Sequence, residues 1–267
     1  MQPFLKWAGG KRWLLPKLRE TLPGTFGRYF EPFLGGGAVF FDLLPPRSLL
    51  SDKNPELIEA YQVLRDHPLP LQEKLSEHDQ LHSDDYYYEV RSSASAEALE
   101  RAARFLYLNR TCWNGLYRVN QRGEFNVPRG TKNKIILEGE NFEAFARALS
   151  GADLRCSDFE DSIKLAGQGD LVYADPPYTV KHNMNGFLKY NQEIFSWEDQ
   201  IRLCRAAEAA RERGATVILS NADHASLWEL YKDADDISRV SRASVISGKV
   251  SGRATTSEIV AFFRGEA

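Results

Sequence analysis

The chain has 267 residues with a formal net charge of −3, 43% of them hydrophobic and 27% charged. That balance allows a sizeable core and excludes a low-complexity, fibrous or disordered chain. No apolar run approaches a membrane span, the start MQPFLKWAGGKRW has no apolar leader segment, and three scattered cysteines (Cys112, Cys156, Cys204) fit neither a zinc nor a disulfide framework, so the expectation is a reducing cytoplasm, no membrane and no metal.

In chain order, Tyr29-Phe30 reads as a short strand running into Glu31-Pro32-Phe33-Leu34-Gly35-Gly36-Gly37, a glycine turn that opens a helix. Ser48 to Ser51 reads as a second strand ending at Asp52, and Pro55 to Leu64 as a helix, a βαβα opening. Residues 56 to 110 read as mostly helical, most clearly Ala96 to Asn109. From 111 to 134 the character changes, with turn signals at Asn114-Gly115, Arg122-Gly123 and Arg129-Gly130 around short strand-like pieces. The sheet pattern resumes at Ala152 to Cys156 and at Leu171 to Ala174. Ser196, with Asp199 three positions on, caps a helix that Gly214 stops. Ala215 to Leu219 is a buried-strand run, and Ser244 to Phe263 reads as a terminal hairpin. The pattern predicts an α/β fold with a doubly wound sheet. Residues 1–55 and 150–267 would form it, around an inserted, mostly helical module at 56–149.

A net charge of −3 argues against a nucleic-acid partner, but its distribution argues the other way. Arg101 to Lys134 holds eight Lys or Arg and one acidic residue, Glu124, while Ser238 to Ser257 holds four basic residues and none acidic. A locally basic face is the footprint of a phosphate-backbone binder. On charge alone, a solvated helix face with loops is an equally good account.

Two strand tips carry chemistry. At the first, glycines let a ligand approach the backbone closely. No Gly-Lys-Ser/Thr follows, so this is not a P-loop, and Phe40 stands where a dinucleotide turn has its third glycine. Asp52, at the tip of the next strand, is placed to accept from both hydroxyls of a ribose, or else to cap the Pro55 helix. Together they describe a nucleoside site without a phosphate cradle. At the second tip, Asp175-Pro176-Pro177-Tyr178 ends a strand, since proline cannot donate to the ladder. The Asp175 carboxylate and the Pro176 carbonyl are two acceptors at fixed separation. Gripping both hydrogens of an exocyclic amine, they favour a pyramidal nitrogen whose lone pair faces an electrophile. Tyr178 offers a face for stacking the base. Such a direct transfer needs no metal and no cysteine nucleophile. A plain turn after a strand is the alternative.

Four motifs recur here in a fixed order: Phe4-Leu5-Lys6-Trp7-Ala8-Gly9-Gly10-Lys11, Glu31 to Gly37, Ser51-Asp52-Lys53-Asn54 and Asp175-Pro176-Pro177-Tyr178. Between them stand Leu106 to Asn120 and Gly123-Glu124-Phe125-Asn126-Val127-Pro128. The ordered set, spread over almost the whole chain, resembles the Dam-type DNA adenine-N6 methyltransferases (class alpha, D12 family). The resemblance implies the Rossmann-like sheet of S-adenosyl-L-methionine-dependent methyltransferases, with a DNA-recognition insertion and a C-terminal hairpin. It implies cofactor contacts at Trp7, Lys11, Glu31, Pro32, Phe33, Gly35, Gly37, Asp52, Asp158, Phe159 and Asp175. The catalytic set would be Asp175, Pro176, Pro177 and Tyr178. DNA contacts would fall on Lys6, Arg110, Asn114, Leu116, Arg118, Asn120, Asn126 and Pro128. Two departures stand out: Trp113 replaces a usual Tyr or Phe, and Arg129 to Lys134 replaces a loop that often touches DNA. The implied activity is methylation of adenine N6 in double-stranded DNA, the base flipped out of the helix. GATC is the expected site, because Arg118 matches the family's guanine reader. Thr179 to Asn191 would be a lid. A monomer of bacterial or phage type is expected, nucleoid-associated in the cytoplasm and acting in restriction-modification. Two rivals remain: a methyltransferase for an amino or amide group in RNA or protein, and a catalytically silent DNA-binding module. The basic stretch at 101–134 tells against the first, and the intact glycine turn, Asp52 and Asp175 against the second.

Overall fold

The computed structural model describes residues 1–180, 195–243 and 255–266. The expected lid beyond Val180 and the expected start of the hairpin at Ser244 lie outside them. In chain order the first elements are α1 (Leu15–Thr21), β1 (Tyr29–Glu31), α2 (Phe40–Leu43), β2 (Ser48–Asp52), α3 (Pro55–Asp66), α4 (Pro68–Leu81), α5 (Asp84–Ser92) and α6 (Ala98–Thr111). There follow α7 (Phe142–Leu149), β3 (Ala152–Cys156), α8 (Phe159–Ile163), β4 (Leu171–Ala174), α9 (Trp197–Glu212), β5 (Thr216–Ala222), α10 (Ala225–Leu230), β6 (Asp236–Ala243) and β7 (Thr255–Phe263). They form two compact units. The first comprises Met1–Arg12, Leu34–Pro46 and Asp52–Cys156, the second Trp13–Phe33, Arg47–Ser51 and Ser157–Ala267.

The second unit carries the strand order β2-β1-β4-β5-β7-β6. β1 runs parallel to β2 and β4, β4 parallel to β5, and β7 antiparallel to β5 and β6. The order reverses between β1 and β4, which is the switch point of a doubly wound sheet, where ligands collect beyond the carboxyl ends of the strands. β4 and β5 are near-continuous apolar runs because helices cover both faces of such a sheet. Val172, Ala174, Val217 and Leu219 pack with Phe30, Leu203, Ala207 and Phe263 in one buried cluster. α9 starts on a capping box: the Ser196 side chain accepts from Asp199 N while Asp199 accepts from Ser196 N. Gly214, at φ +89°, ends the segment in a conformation that glycine adopts freely.

The hairpin differs from expectation in its first strand, which begins at Asp236. Asp236-Ile237-Ser238-Arg239-Val240 has no period-two apolar alternation to announce it. β6 pairs only with β7 among the described residues, and charges on such an edge discourage further pairing.

The first unit is mostly helical. Leu57, Ile58, Tyr61 and Leu64 of α3, Leu71 and Leu75 of α4, and Leu106 of α6 are buried. Phe4, Phe41, Tyr61 and Phe145 join them edge to face, the favoured geometry for aromatic rings. Among the described residues, no helix is long and apolar enough to cross a membrane.

Candidate active site and nucleic-acid interface

In the first unit, Gly35 and Gly37 lie at φ +47° and +64°. A Cβ on Gly35 would stand 2.6 Å from Trp7 Cδ1, and one on Gly37 2.8 Å from the Tyr61 hydroxyl. Both conformation and crowding therefore demand glycine. The Tyr61 hydroxyl donates to the Gly35 carbonyl at 3.1 Å, fixing the turn from below. Asp52 closes it from the side: Gly35 N donates to Oδ2 and Asn54 N to Oδ1, both at 3.0 Å. Burial pushes the Asp52 carboxyl up, against the opposing pull of these amides. The cap of α3 is Asn54, whose side chain accepts from Leu57 N, so Asp52 is not spent on capping. Each carboxylate oxygen has two lone pairs, so both can still accept from a diol. A glycine turn crowded by an indole, beside a fixed, half-buried acceptor pair, fits a nucleoside. Trp7 stacks on Tyr117 at 5.6 Å and lies 6.4 Å from Phe105. Lys11, which composition would put on the surface, is 3% exposed.

In the second unit, β4 delivers Asp175 to its carboxyl end, half-buried, with Pro176 buried behind it. Ser220 Oγ donates to Asp175 Oδ1 at 2.9 Å. The Tyr178 hydroxyl bonds to Glu258; burial first, then the charges of Asp175 and Glu258, push it far above the usual phenol range. Glu31 is buried at the end of β1 and accepts from the Tyr29 hydroxyl at 2.7 Å. After Pro32, Phe33 stacks on Phe159 with centroids 5.3 Å apart, and the Arg202 guanidinium lies 4.8 Å from the Phe159 ring centre. Asp158 caps α8 and pairs with Arg202 at 2.9 Å. The structure thus brings Phe33, Asp158 and Phe159 together around one arginine.

The segment after α6 is a hairpin. Val119 and Phe125 form its bridge, Asn120 N donates to Glu124 O at 2.9 Å, and Asn126 N to Arg118 O at 3.1 Å. Gly123, at φ +79°, makes the turn. Arg118 is exposed, and its Nε donates to Asn126 Oδ1 at 2.7 Å. Asn120 is occupied by the turn, its Oδ1 accepting from Arg122 N and Glu124 N. Asn114, at φ +57°, Leu116 and Pro128 are exposed, and Trp113 is 51% exposed. Lys6 is anchored through its backbone to the Asn109 carboxamide; burial, then the neighbouring Lys132, lowers its amine to about 8.

The family model described as D12 class N6 adenine-specific DNA methyltransferase matches residues 7–246. The chain belongs to that family. It is 39% identical over 97% of its length to the type II methyltransferase M1.LlaDCHI of Lactococcus lactis subsp. cremoris, covering 94% of that protein. It is 35% identical to the type II methyltransferase M.MjaIII of Methanocaldococcus jannaschii over 93% of this chain and 94% of the other. It is 34% identical to the DNA adenine methylase of Escherichia coli K12, over 98% and 95%. The protein is an adenine-specific DNA methyltransferase, and membership implies S-adenosylmethionine as methyl donor.

One expected DNA ligand of this methyltransferase sits elsewhere. Arg110 has a side chain 1% exposed, paired with Glu140 at 2.5 Å. It donates to the carbonyls of Ile135 and Phe4, both at 2.6 Å. In this structure it braces protein, because a guanidinium with four buried acceptors has none of those donors left for a phosphate. Others of the basic run have protein partners too: Arg101 holds Glu59, Arg104 holds two carbonyls of α5, and Arg129 holds Asp84. Ser220, Tyr61, Tyr117, Glu258 and Arg202 escaped the sequence reading. Only Ser220 carried a signal, a polar Ser220-Asn221 pair closing the apolar run Val217-Ile218-Leu219.

Proposed function

We propose that this methyltransferase flips an adenine from duplex DNA and methylates its N6 within GATC. The observation that carries the site is the hairpin around Gly123, which presents an exposed Arg118 braced by Asn126. An arginine held along one edge offers its terminal nitrogens to guanine O6 and N7, the commonest specific contact in the major groove. Asn114, Leu116, Asn126, Pro128 and Lys6 would stand beside it. Residues 56–149 serve as the recognition module and 1–55 with 150–267 as the catalytic domain, acting as a monomer in a bacterial or phage-type cytoplasm.

S-adenosylmethionine supplies, when bound, an electrophilic methyl on its sulfonium. Asp52 would take the ribose hydroxyls, with Trp7, Lys11, Gly35 and Gly37 as further cofactor contacts. Asp158 and Phe159 would take the adenine ring, Glu31, Pro32 and Phe33 would add further cofactor contacts, and Asp175 would sit near the methionine end. Asp175 and the Pro176 carbonyl accept the two amine hydrogens of the target base, and Tyr178 stacks on its ring. The amine lone pair, withdrawn from conjugation, would face the methyl carbon in line; the N–C bond would form as the C–S bond breaks, the sulfur leaving as a neutral thioether and the surplus amine proton passing to solvent. Flipping is required because that nitrogen is otherwise paired and stacked.

The test compares Arg118→Ala with wild type on GATC duplexes and on each substitution of the guanine. Loss of about 1–3 kcal/mol of discrimination, chiefly at the guanine, supports the reading. Equal loss on every duplex means a phosphate contact and removes the support for GATC. Label entering RNA or protein rather than DNA, in parallel transfers from tritiated cofactor, would favour the rival substrate classes.

A further inference from the structure

Beneath the reactive tip of β4 runs a file of hydroxyl groups that the chemistry above does not use. Side chains two apart on a strand share a face, which puts Tyr173 and Asp175 on the same side. The β4–β5 register pairs Tyr173 with Ile218 and Ala174 with Leu219, so Asp175 comes level with Ser220. Ser220 and Tyr173 are buried, at 0% and 2% exposure. Ser220 Oγ donates to Asp175 Oδ1 at 2.9 Å and lies 3.0 Å from the Tyr173 hydroxyl. A serine hydroxyl has one proton. With that proton given to the carboxylate, Ser220 can only accept from Tyr173, so the chain runs one way, from Tyr173 through Ser220 to Asp175.

We propose that Ser220 is a positioning residue of the methyl-transfer step, fixing the rotation of the Asp175 carboxylate before the adenine amine arrives. The last torsion of an aspartate is broad and two-fold, so an unanchored carboxylate samples many planes. One oxygen held from β5 sets where the other points. The anchor is neutral. An arginine, such as the one on Asp158, would offset the negative charge; a hydroxyl leaves Asp175 a strong acceptor. Tyr173 holds the serine proton in place, since a hydrogen-bonded partner behind it stops Oγ from turning away. The neighbouring Tyr178 is tethered in its turn to Glu258 of β7, so both ends of the tetrapeptide are pinned from adjacent strands. The inference rests on the reading of Asp175 as acceptor of the amine hydrogens.

The experiment measures single-turnover transfer of labelled methyl to duplex DNA, with cofactor affinity, DNA affinity and melting temperature, for full-length Ser220→Ala, Ser220→Thr, Tyr173→Phe, the Ser220→Ala/Tyr173→Phe pair and Asp175→Ala. Misplacing one reacting group costs up to roughly 100-fold, so Ser220→Ala should transfer roughly 10–100-fold more slowly with both affinities unchanged. Ser220→Thr should recover most of the rate. Tyr173→Phe should slow transfer less, and the pair should be no slower than Ser220→Ala alone, because both act through one hydrogen bond. A Ser220→Ala rate within about twofold of wild type overturns the inference, as does a cofactor affinity that falls in step with the rate. If Ser220→Ala does not fold, Tyr173→Phe decides: an unchanged rate overturns, a slower rate with intact binding supports. An active Asp175→Ala would instead sink the reading of Asp175 itself. An inactive Asp175→Ala beside a wild-type-like Ser220→Ala sinks only the role of Ser220.

Discussion

Asp52 and Asp175 end two strands of the parallel part of the sheet, yet they are held by different means. Asp52 accepts from the backbone amides of Gly35 and Asn54 and sits beside a glycine turn where Trp7 and the Tyr61 hydroxyl fill the space that side chains would need. Asp175 accepts from a side chain, Ser220, and is followed by two prolines whose fixed φ leaves the tip little freedom. Backbone donors are indifferent to side-chain replacement, so the first carboxylate is a permanent acceptor suited to holding a ligand. Side-chain donors can be exchanged one at a time, so the second is aimed by residues that substitution can retune. On the proposed function, the contrast separates a tip that binds from a tip that reacts.

The largest effect should come from Asp175→Ala. Removing one group aimed at the reacting atoms costs about 100–1,000-fold in rate, so turnover should vanish while S-adenosylmethionine still raises the melting temperature. Turnover within about tenfold of wild type would break the contrast, because the reacting tip would then be dispensable. Asp52→Ala should do the reverse. Losing hydrogen bonds to a charged acceptor costs about 1.5–3 kcal/mol each, so calorimetry should show weakened cofactor binding while the rate at saturating cofactor stays near wild type. Equal melting-temperature gains from NAD and from S-adenosylmethionine would show that the first tip is not selective for a nucleoside without phosphates. The smallest effect sharpens the contrast with a group that neither tip holds. Lys6, lowered from 10.5 to about 8 chiefly by burial, is charged below that pH, and DNA favours the charged form. DNA affinity should fall as pH rises through about 8, and Lys6→Met should flatten the profile. The folded state binds fewer protons than the unfolded one between about 8 and 10.5, so stability gains from this group over the very window in which affinity drops. A flat wild-type binding curve across that window would remove Lys6 from the interface.

Local chemistry made much of this legible in the sequence. The glycine turn, the aspartate-ended strands, the Ser196 capping box and the turn at Gly123 are all written in neighbouring residues, where propensity and geometry act together. What stayed hidden depends on partners distant in the chain. Arg110 reads as a surface cation until Glu140, thirty positions on, appears beside it. Ser220 reads as a strand-end serine until the β4–β5 register brings it level with Asp175. β6 was hidden for another reason: an edge strand need not be apolar, so its pairing leaves no periodic trace.

The Arg110–Glu140 pair also bears on how this chain can change over generations. Either partner replaced alone strands a buried charge, at a cost of about 3–5 kcal/mol, whereas a joint exchange for apolar residues strands no charge and leaves only the Ile135 and Phe4 carbonyls to find new donors. The two positions, 30 apart in the chain, are therefore inherited as one character. A lineage can cross between the ionic and the apolar version only through an intermediate that folds poorly. Relatives should divide into those that keep both charges and those that have neither, with mixed forms rare.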